Sequence, residues 1–419
     1  MKYKIVTFKK KQFLSVSVSF FSFFILNLPS IKSVFKVYFT ISSPLFNLCA
    51  LIGLYIAGFL NYTYKDRLKT VFTSIELSRQ KIDFIFLWLS FYAILMASGL
   101  WNDYIAILNL EQALQYLSVF LFVLGLIFFT QKEHIPVIIF LQISWGTILS
   151  LMVINIDGIL QGRNYAPLSM PLGASLVCCF AFMLINKSNL TSKITCTSLF
   201  LLNLRVLLSW PGRGAIVFPI IIILGYIIFV STKKILYLII LNKQIKKIVI
   251  LKSISILLFL VLGVFYLLNN FSSQLLESRL TRLFTNLSEE PRITIYKNIF
   301  QVILDKPLFG YGLHIYQAIF NSKPHNIFLE VWFSVGIIGL IILSIILVQF
   351  ICKAMTIIIC TDNSFALAFS LYAIFYLLMW NVSGELKDSY MVFGAISIHI
   401  SNRYSICKIE NDAFYRKSK

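Results

Sequence analysis

Charge is scarce in this chain. Only 13% of its 419 residues are Asp, Glu, Lys or Arg, and only 17 are acidic. Soluble domains are about a quarter charged and near half apolar, so a soluble enzyme or binding module is excluded. Acids within the apolar runs are few, which argues against a proton-coupled pump. The seven cysteines are Cys49, Cys178, Cys179, Cys196, Cys352, Cys360 and Cys407, with no CxxC pair and no Cys/His metal spacing. Structural disulfides and a zinc site are both disfavoured. There is no DxD pair, no phosphate-cradling P-loop, no GxGxxG after a strand and no GxSxG elbow. Those absences set aside metal-bound nucleotide sugars, P-loop NTPases, dinucleotide enzymes and α/β-hydrolases. No internal repeat is visible, so an inverted-repeat transporter has no support from symmetry.

What the chain has is apolar length. Hydrophobic residues make up 58% of it, and the mean hydropathy is +0.84. An apolar run of about 20 residues crosses a bilayer as a helix. On that rule the expected spans are 12–29, 43–61, 83–100, 113–130, 135–155, 167–186, 193–209, 214–231, 249–269, 326–351, 364–381 and 388–402. The expected fold is all-α, a polytopic transmembrane bundle of about 12 spans. Residues 1–269 carry spans one to nine, 270–325 form one larger polar loop containing short helices, and 326–419 carry the last three spans and a tail. The basic start MKYKIVTFKKK precedes an apolar run without a small-residue cleavage site, so it reads as a retained first span. Arg205 falls inside span seven and should face the bundle.

The formal net charge of +20 does not point to nucleic acid, because the cations sit in short loops. They set topology through the positive-inside rule. The N-terminus, the loops with Lys65 to Lys81 and Lys233 to Lys247, and the tail from Arg403 all fall on one, cytoplasmic, side. Lys32 and Lys36 are a minor violation. The opposite face receives four polar features: Asn102, Asp103 and Glu111; the Gly162-Arg163-Asn164-Tyr165 run; the run from Ser209 to Arg213; and the 270–325 loop. Their convergence argues for a site there.

Three residues stand out by local chemistry. Arg213 is flanked by Gly212 and Gly214, which let the backbone approach a ligand. Its bland alternative is an arginine snorkelling to headgroups. Arg292 follows Glu289, Glu290 and Pro291, a helix-start pattern that places it in a first turn. There the amide dipole and the guanidinium both favour phosphate. The bland alternative is an ion pair with Glu289. His325, one of only four histidines, lies where the loop enters span ten. It can accept a proton from a hydroxyl, or it can be an interfacial cap. Asn326 or Glu330 could orient its ring. Arg279, Arg282 and His314 lie in the same loop and suit an anionic group at a membrane surface.

These motifs resemble the O-antigen ligase and O-antigen polymerase superfamily. GRGAIVFPI resembles its SRGA segment. PRITIYKNIFQVILDKPLFGYGLHIY resembles its R…P…G.G loop, and PHNIFLEVWFSVGIIGL its HN…G..G end of loop. GRNYAPLSMPLGASL resembles an earlier external segment. The likeness covers roughly 160–345. Trp210-Pro211-Gly212, Ser334 and Tyr296 depart from the family pattern.

The resemblance implies a multi-pass glycosyltransferase of the bacterial inner membrane. It would act at the periplasmic face, making 270–325 a periplasmic catalytic loop. The donor would be an undecaprenyl-pyrophosphate-linked glycan and the acceptor a glycan or lipid A–core. Membrane lipids and a chain-length regulator would be further partners, with no cofactor and no metal. By motif position Arg213 and Arg292 correspond to the family's essential arginines, His325 to its loop histidine and Arg163 to a third basic position. Arg279, Arg282, His314 and Asn326 would contact substrate. The short gap between Gly312 and His325 favours a repeat-unit polymerase over a ligase. A ligase using protein acceptors is a third possibility. A lipid-linked glycan flippase is the alternative of another class, but no row of intramembrane charges lines a path for one.

Overall fold

A computed structural model describes residues 2–38, 43–66, 79–99, 110–155, 165–184, 190–209, 212–240, 291–320, 324–361 and 363–402. Among these the fold is all-helical and polytopic. In chain order the helices are α1 (Lys2–Leu26), α2 (Leu28–Tyr38), α3 (Ser43–Asp66), α4 (Arg79–Ala97), α5 (Leu110–Phe129), α6 (Ile135–Asn155) and α7 (Tyr165–Leu184). Then come α8 (Leu190–Ser209), α9 (Arg213–Ile240), α10 (Pro291–Ile303), α11 (Ile315–Phe320), α12 (Ile327–Cys360), α13 (Ser364–Ser383) and α14 (Tyr390–Ser401). Helices stand at eleven of the twelve expected spans; 249–269 lies outside the described residues. Seven are long and apolar enough to cross a membrane, or eight if one bent pair is counted as a span. The α3 and α14 cores are shorter apolar helices.

The bent pair is α1 with α2, which meet at 77°. The run read as a single span breaks at Asn27, two residues before Pro29. Proline cannot donate to the carbonyl four residues back, so the first helix ends there. Asn27 is buried, and a buried amide in an apolar bundle must be paired. Its Nδ2 donates to Gln142 Oε1 at 2.8 Å.

The chain packs as two compact units, residues 1–142 with 288–419, and residues 143–287. In the first unit, polar ties recur within an aromatic core. Ser22 and Thr130 share a hydroxyl bond of 2.8 Å. Asn402 Nδ2 donates to the Thr130 carbonyl at 3.1 Å. Trp88 and Phe393 rings lie 5.0 Å apart. The Lys353 ammonium donates to the Ile400 carbonyl at 2.7 Å, a cation on the carbonyl end of α14.

The second unit has its own polar knot. Ser150 Oγ donates to Asn203 Oδ1 at 2.6 Å, and Asn203 Nδ2 donates to Ser175 Oγ at 3.0 Å. Gly146 permits this approach: a Cβ there would lie 2.4 Å from the Ser175 Cβ. Arg205, expected to face inward, is exposed on α8. It lies within about a turn of the helix end, within snorkelling reach of an interface.

Candidate functional site

The site is built in the first unit on α10, the turn after it, and the start of α12. Pro291 opens α10, as the sequence pattern requires, and Arg292 sits half-buried in its first turn. Ile299 and Ile303 form the helix's buried face. They join Ile315, Tyr316 and Phe333 in one apolar cluster. Five such side chains contribute on the order of 10 kcal/mol of gross burial, enough to fix α10 and α11 against α12.

The turn after α10 is stitched to α12 by backbone. Tyr311 N–H donates to Phe333 O at 2.8 Å and Gly312 N–H to Ser334 O at 2.9 Å. Ile337 N–H donates to Pro307 O at 2.9 Å. These acceptors and donors flank Gly336, where α12 breaks its helical path with φ 67° and ψ −167°. A Cβ on Gly336 would lie 2.0 Å from the Leu308 carbonyl oxygen. A Cβ on Gly310, at φ 70°, would lie 2.5 Å from Phe333 O. Both positions demand glycine, for conformation and for space.

Both loop histidines adopt left-handed backbone, His314 at φ 64° and His325 at φ 49°. That conformation costs a non-glycine residue roughly 1–2 kcal/mol. Such strain persists where the surroundings over-determine it, and it clusters at functional sites. His314 is buried, with Nε2 at 2.8 Å from Gln112 Nε2 on α5. His325 is partly exposed and immediately precedes the N-cap of α12.

The two groups expected to orient the His325 ring make other bonds. Asn326 Oδ1 accepts from the N–H groups of Phe328 and Leu329 at 3.0 and 3.1 Å, an N-cap. Glu330 is fully buried, and both its oxygens lie 3.0 Å from Leu386 N–H. Neighbouring Glu385 accepts from the Tyr316 hydroxyl at 3.2 Å and pairs with Lys387 at 3.2 Å. Burial first, then the Glu330 carboxylate, hold the Tyr316 hydroxyl well above the usual tyrosine range, so it stays a donor. This acid–tyrosine cluster ties α11, α12 and the turn before α14 together. Sequence reading missed it, because Glu385 is distant in the chain and carries no local motif.

The remaining candidates divide. Arg213 opens α9 in the second unit, where Ala215 N–H reaches Gly212 O at 3.2 Å. Arg163, Arg279 and Arg282 lie outside the described residues. No group of three metal-ligating side chains occurs among the described residues.

Residues 197–344 match the family model for O-antigen ligase. This segment is similar to the O-antigen ligase family. It contains Arg213, Arg292, His314, His325 and Asn326, and it ends within α12. No curated protein matches the chain. The ligase-like segment supports a multi-pass membrane enzyme of the glycosyltransferase type, acting on a lipid-linked glycan and an acceptor. Its Gly310–Gly312 element, legible in sequence only as a motif, is the backbone seam that holds the turn in the break of α12.

Proposed function

We propose that this chain is an inner-membrane glycosyltransferase that elongates a surface polysaccharide on the periplasmic face, joining one undecaprenyl-pyrophosphate-linked repeat to another. The observation that carries the reading is His325, held in a strained turn at the mouth of α12, in the segment similar to this family. The acceptor hydroxyl oxygen attacks the anomeric carbon of the donor sugar, and the bond from that carbon to the pyrophosphate oxygen breaks. Attack opposite the leaving group inverts the anomeric centre. The hydroxyl proton passes to the His325 imidazole.

Negative charge builds on the departing pyrophosphate. Arg292, in the first turn of α10, is suited to it through both the guanidinium and the helix amide dipole. Arg213 takes the same role by motif position. One well-placed donor to a developing oxyanion contributes about 3–4 kcal/mol in other enzymes. Arg163, Arg279 and Arg282 are assigned to the glycan or its phosphates. The arginines take over what a divalent metal does in nucleotide-sugar transferases.

The polymerase reading is favoured by the 312–325 stretch, which is short and largely spent on burying α11 against α12. The match of residues 197–344 to the O-antigen ligase family favours the second reading, a ligase that moves the glycan to lipid A–core. Deleting the gene and resolving lipopolysaccharide on a gel separates them. A single repeat on the core indicates the polymerase. Bare core with accumulated lipid-linked polymer indicates the ligase, and loss of periplasmic lipid-linked repeats indicates a flippase.

A further inference from the structure

The turn after α10 lies in a polar loop by sequence, and beside its exposed Gln301, Asp305 and Lys306 it shows four large apolar side chains. Phe300, Leu304, Leu308 and Phe309 are 45%, 57%, 58% and 57% exposed. We propose that residues 300–309 form a wedge that enters the acyl layer of the bilayer beside the break in α12, with lipid as its occupant.

Three observations favour lipid over water or a protein partner. The first is backbone pairing through Lys306 and again from Gly310, as lipid demands of a non-helical segment. The N–H groups of Leu304, Asp305 and Lys306 donate to Gln301, Val302 and Ile303 carbonyls. Those of Gly310, Tyr311 and Gly312 donate to Lys306, Phe333 and Ser334, and Pro307 has none. The second is continuity with a lipid-facing helix. Pro307 is bonded to Ile337, and α12 goes on from there as a membrane-spanning helix with Ile338, Ile341 and Ile345 exposed.

The third is the side-chain set around the wedge. Trp332 Nε1 donates to Pro307 O at 3.2 Å, and its ring lies edge-on to Phe300 at 5.8 Å. The Lys306 ammonium lies 5.1 Å from the centre of the Tyr311 ring. Trp, Tyr and Lys are the residues that mark the membrane–water boundary, where the ring is half immersed and the ammonium reaches headgroups. The wedge then sits just below that boundary. The inference concerns the membrane and stands apart from the proposed chemistry.

The test is a nitroxide placed at Phe309→Cys, and separately at Leu304→Cys, in a full-length chain lacking its seven cysteines. The protein is reconstituted in phosphatidylethanolamine–phosphatidylglycerol vesicles. Collision rates are measured with oxygen, which concentrates in lipid, and with a water-soluble nickel chelate. The expected result is a ratio of oxygen to chelate collisions above one at both positions, as for a label at Ile341. Faster chelate collisions would place the turn in water and overturn the proposal. Slow collisions with both reagents would mean that protein covers it, and would overturn it equally. If the cysteine-free chain does not fold, a benzophenone residue at position 309 of the native chain replaces the label. Adducts with alkyne-tagged acyl chains support the wedge; adducts only with another copy, or none with lipid, refute it.

Discussion

Replacing Gly336 with alanine should be among the most damaging single-methyl changes in this protein. The backbone there, at φ 67° and ψ −167°, is open in practice only to glycine. Holding another residue there costs about 1–3 kcal/mol. The new Cβ would also lie 2.0 Å and 2.3 Å from the carbonyl oxygen and carbon of Leu308, and 2.5 Å from Phe309 N. All three are backbone atoms, so no rotamer change relieves the clash. The seam must open, losing the Tyr311–Phe333, Gly312–Ser334 and Ile337–Pro307 bonds at about 1 kcal/mol each. Strain and lost bonds together reach about 4–6 kcal/mol. The control is Gly225→Ala in α9, where a Cβ meets nothing within 4 Å. Alanine is the better helix former there by up to about 1 kcal/mol. The assay is the heat-denaturation midpoint of both variants in detergent, followed by loss of the monodisperse peak. Gly336→Ala should fall well below the parent while Gly225→Ala stays level or rises. Equal midpoints for the two variants would refute the seam argument.

His325→Ala should lose roughly 10²–10⁴-fold in turnover per folded molecule while still binding donor lipid, and unchanged turnover would remove it from the mechanism. Arg213→Ala and Arg292→Ala should abolish transfer with normal insertion. Arg292→Lys should remain poor, because one ammonium cannot make a guanidinium's bidentate phosphate contact; near-normal polymer from Lys variants at both positions would instead mean headgroup snorkelling. Transfer by purified protein should persist in EDTA, and loss restored by Mg²⁺ or Mn²⁺ would contradict the arginine-only account. Glu330→Leu strands the Leu386 N–H in the core and should cost about 1–3 kcal/mol of stability, whereas Glu330→Gln keeps an acceptor and should melt close to the parent; equal loss in both would mean the bond is not what matters.

Much of the bundle was legible because lipid leaves so few options. The run 135–155 was read with the limits α6 has, and 364–381 differs from α13 by two residues. Hydropathy carries no information on direction, so it passed over the bend at Asn27, although Pro29 was the local sign of it. The same blindness hid the break at Gly336, since VGIIGL is as apolar as the span around it. At the site, Arg292 and His325 were readable because Pro291 and Asn326 are helix-start residues with local meaning. Glu330 was visible, but its bond to a backbone N–H 56 residues further on was not. No local spacing can announce a bond of that kind.

The discontinuous first unit also bears on how the protein is made. Asn27 and Gln142 are both present once the first third of the chain has been inserted, so their bond can form early. Residues 143–287 follow as a compact unit of their own. Gln112 must wait for His314, Glu330 for Leu386, and Thr130 for Asn402. Loops of that length close slowly, and chains of this size assemble piecewise. The ribosome therefore delivers a membrane-embedded scaffold long before any chemistry is possible on it. A nascent or prematurely terminated chain would hold its helices in the bilayer without ever joining Gln112 to His314 or Glu330 to Leu386.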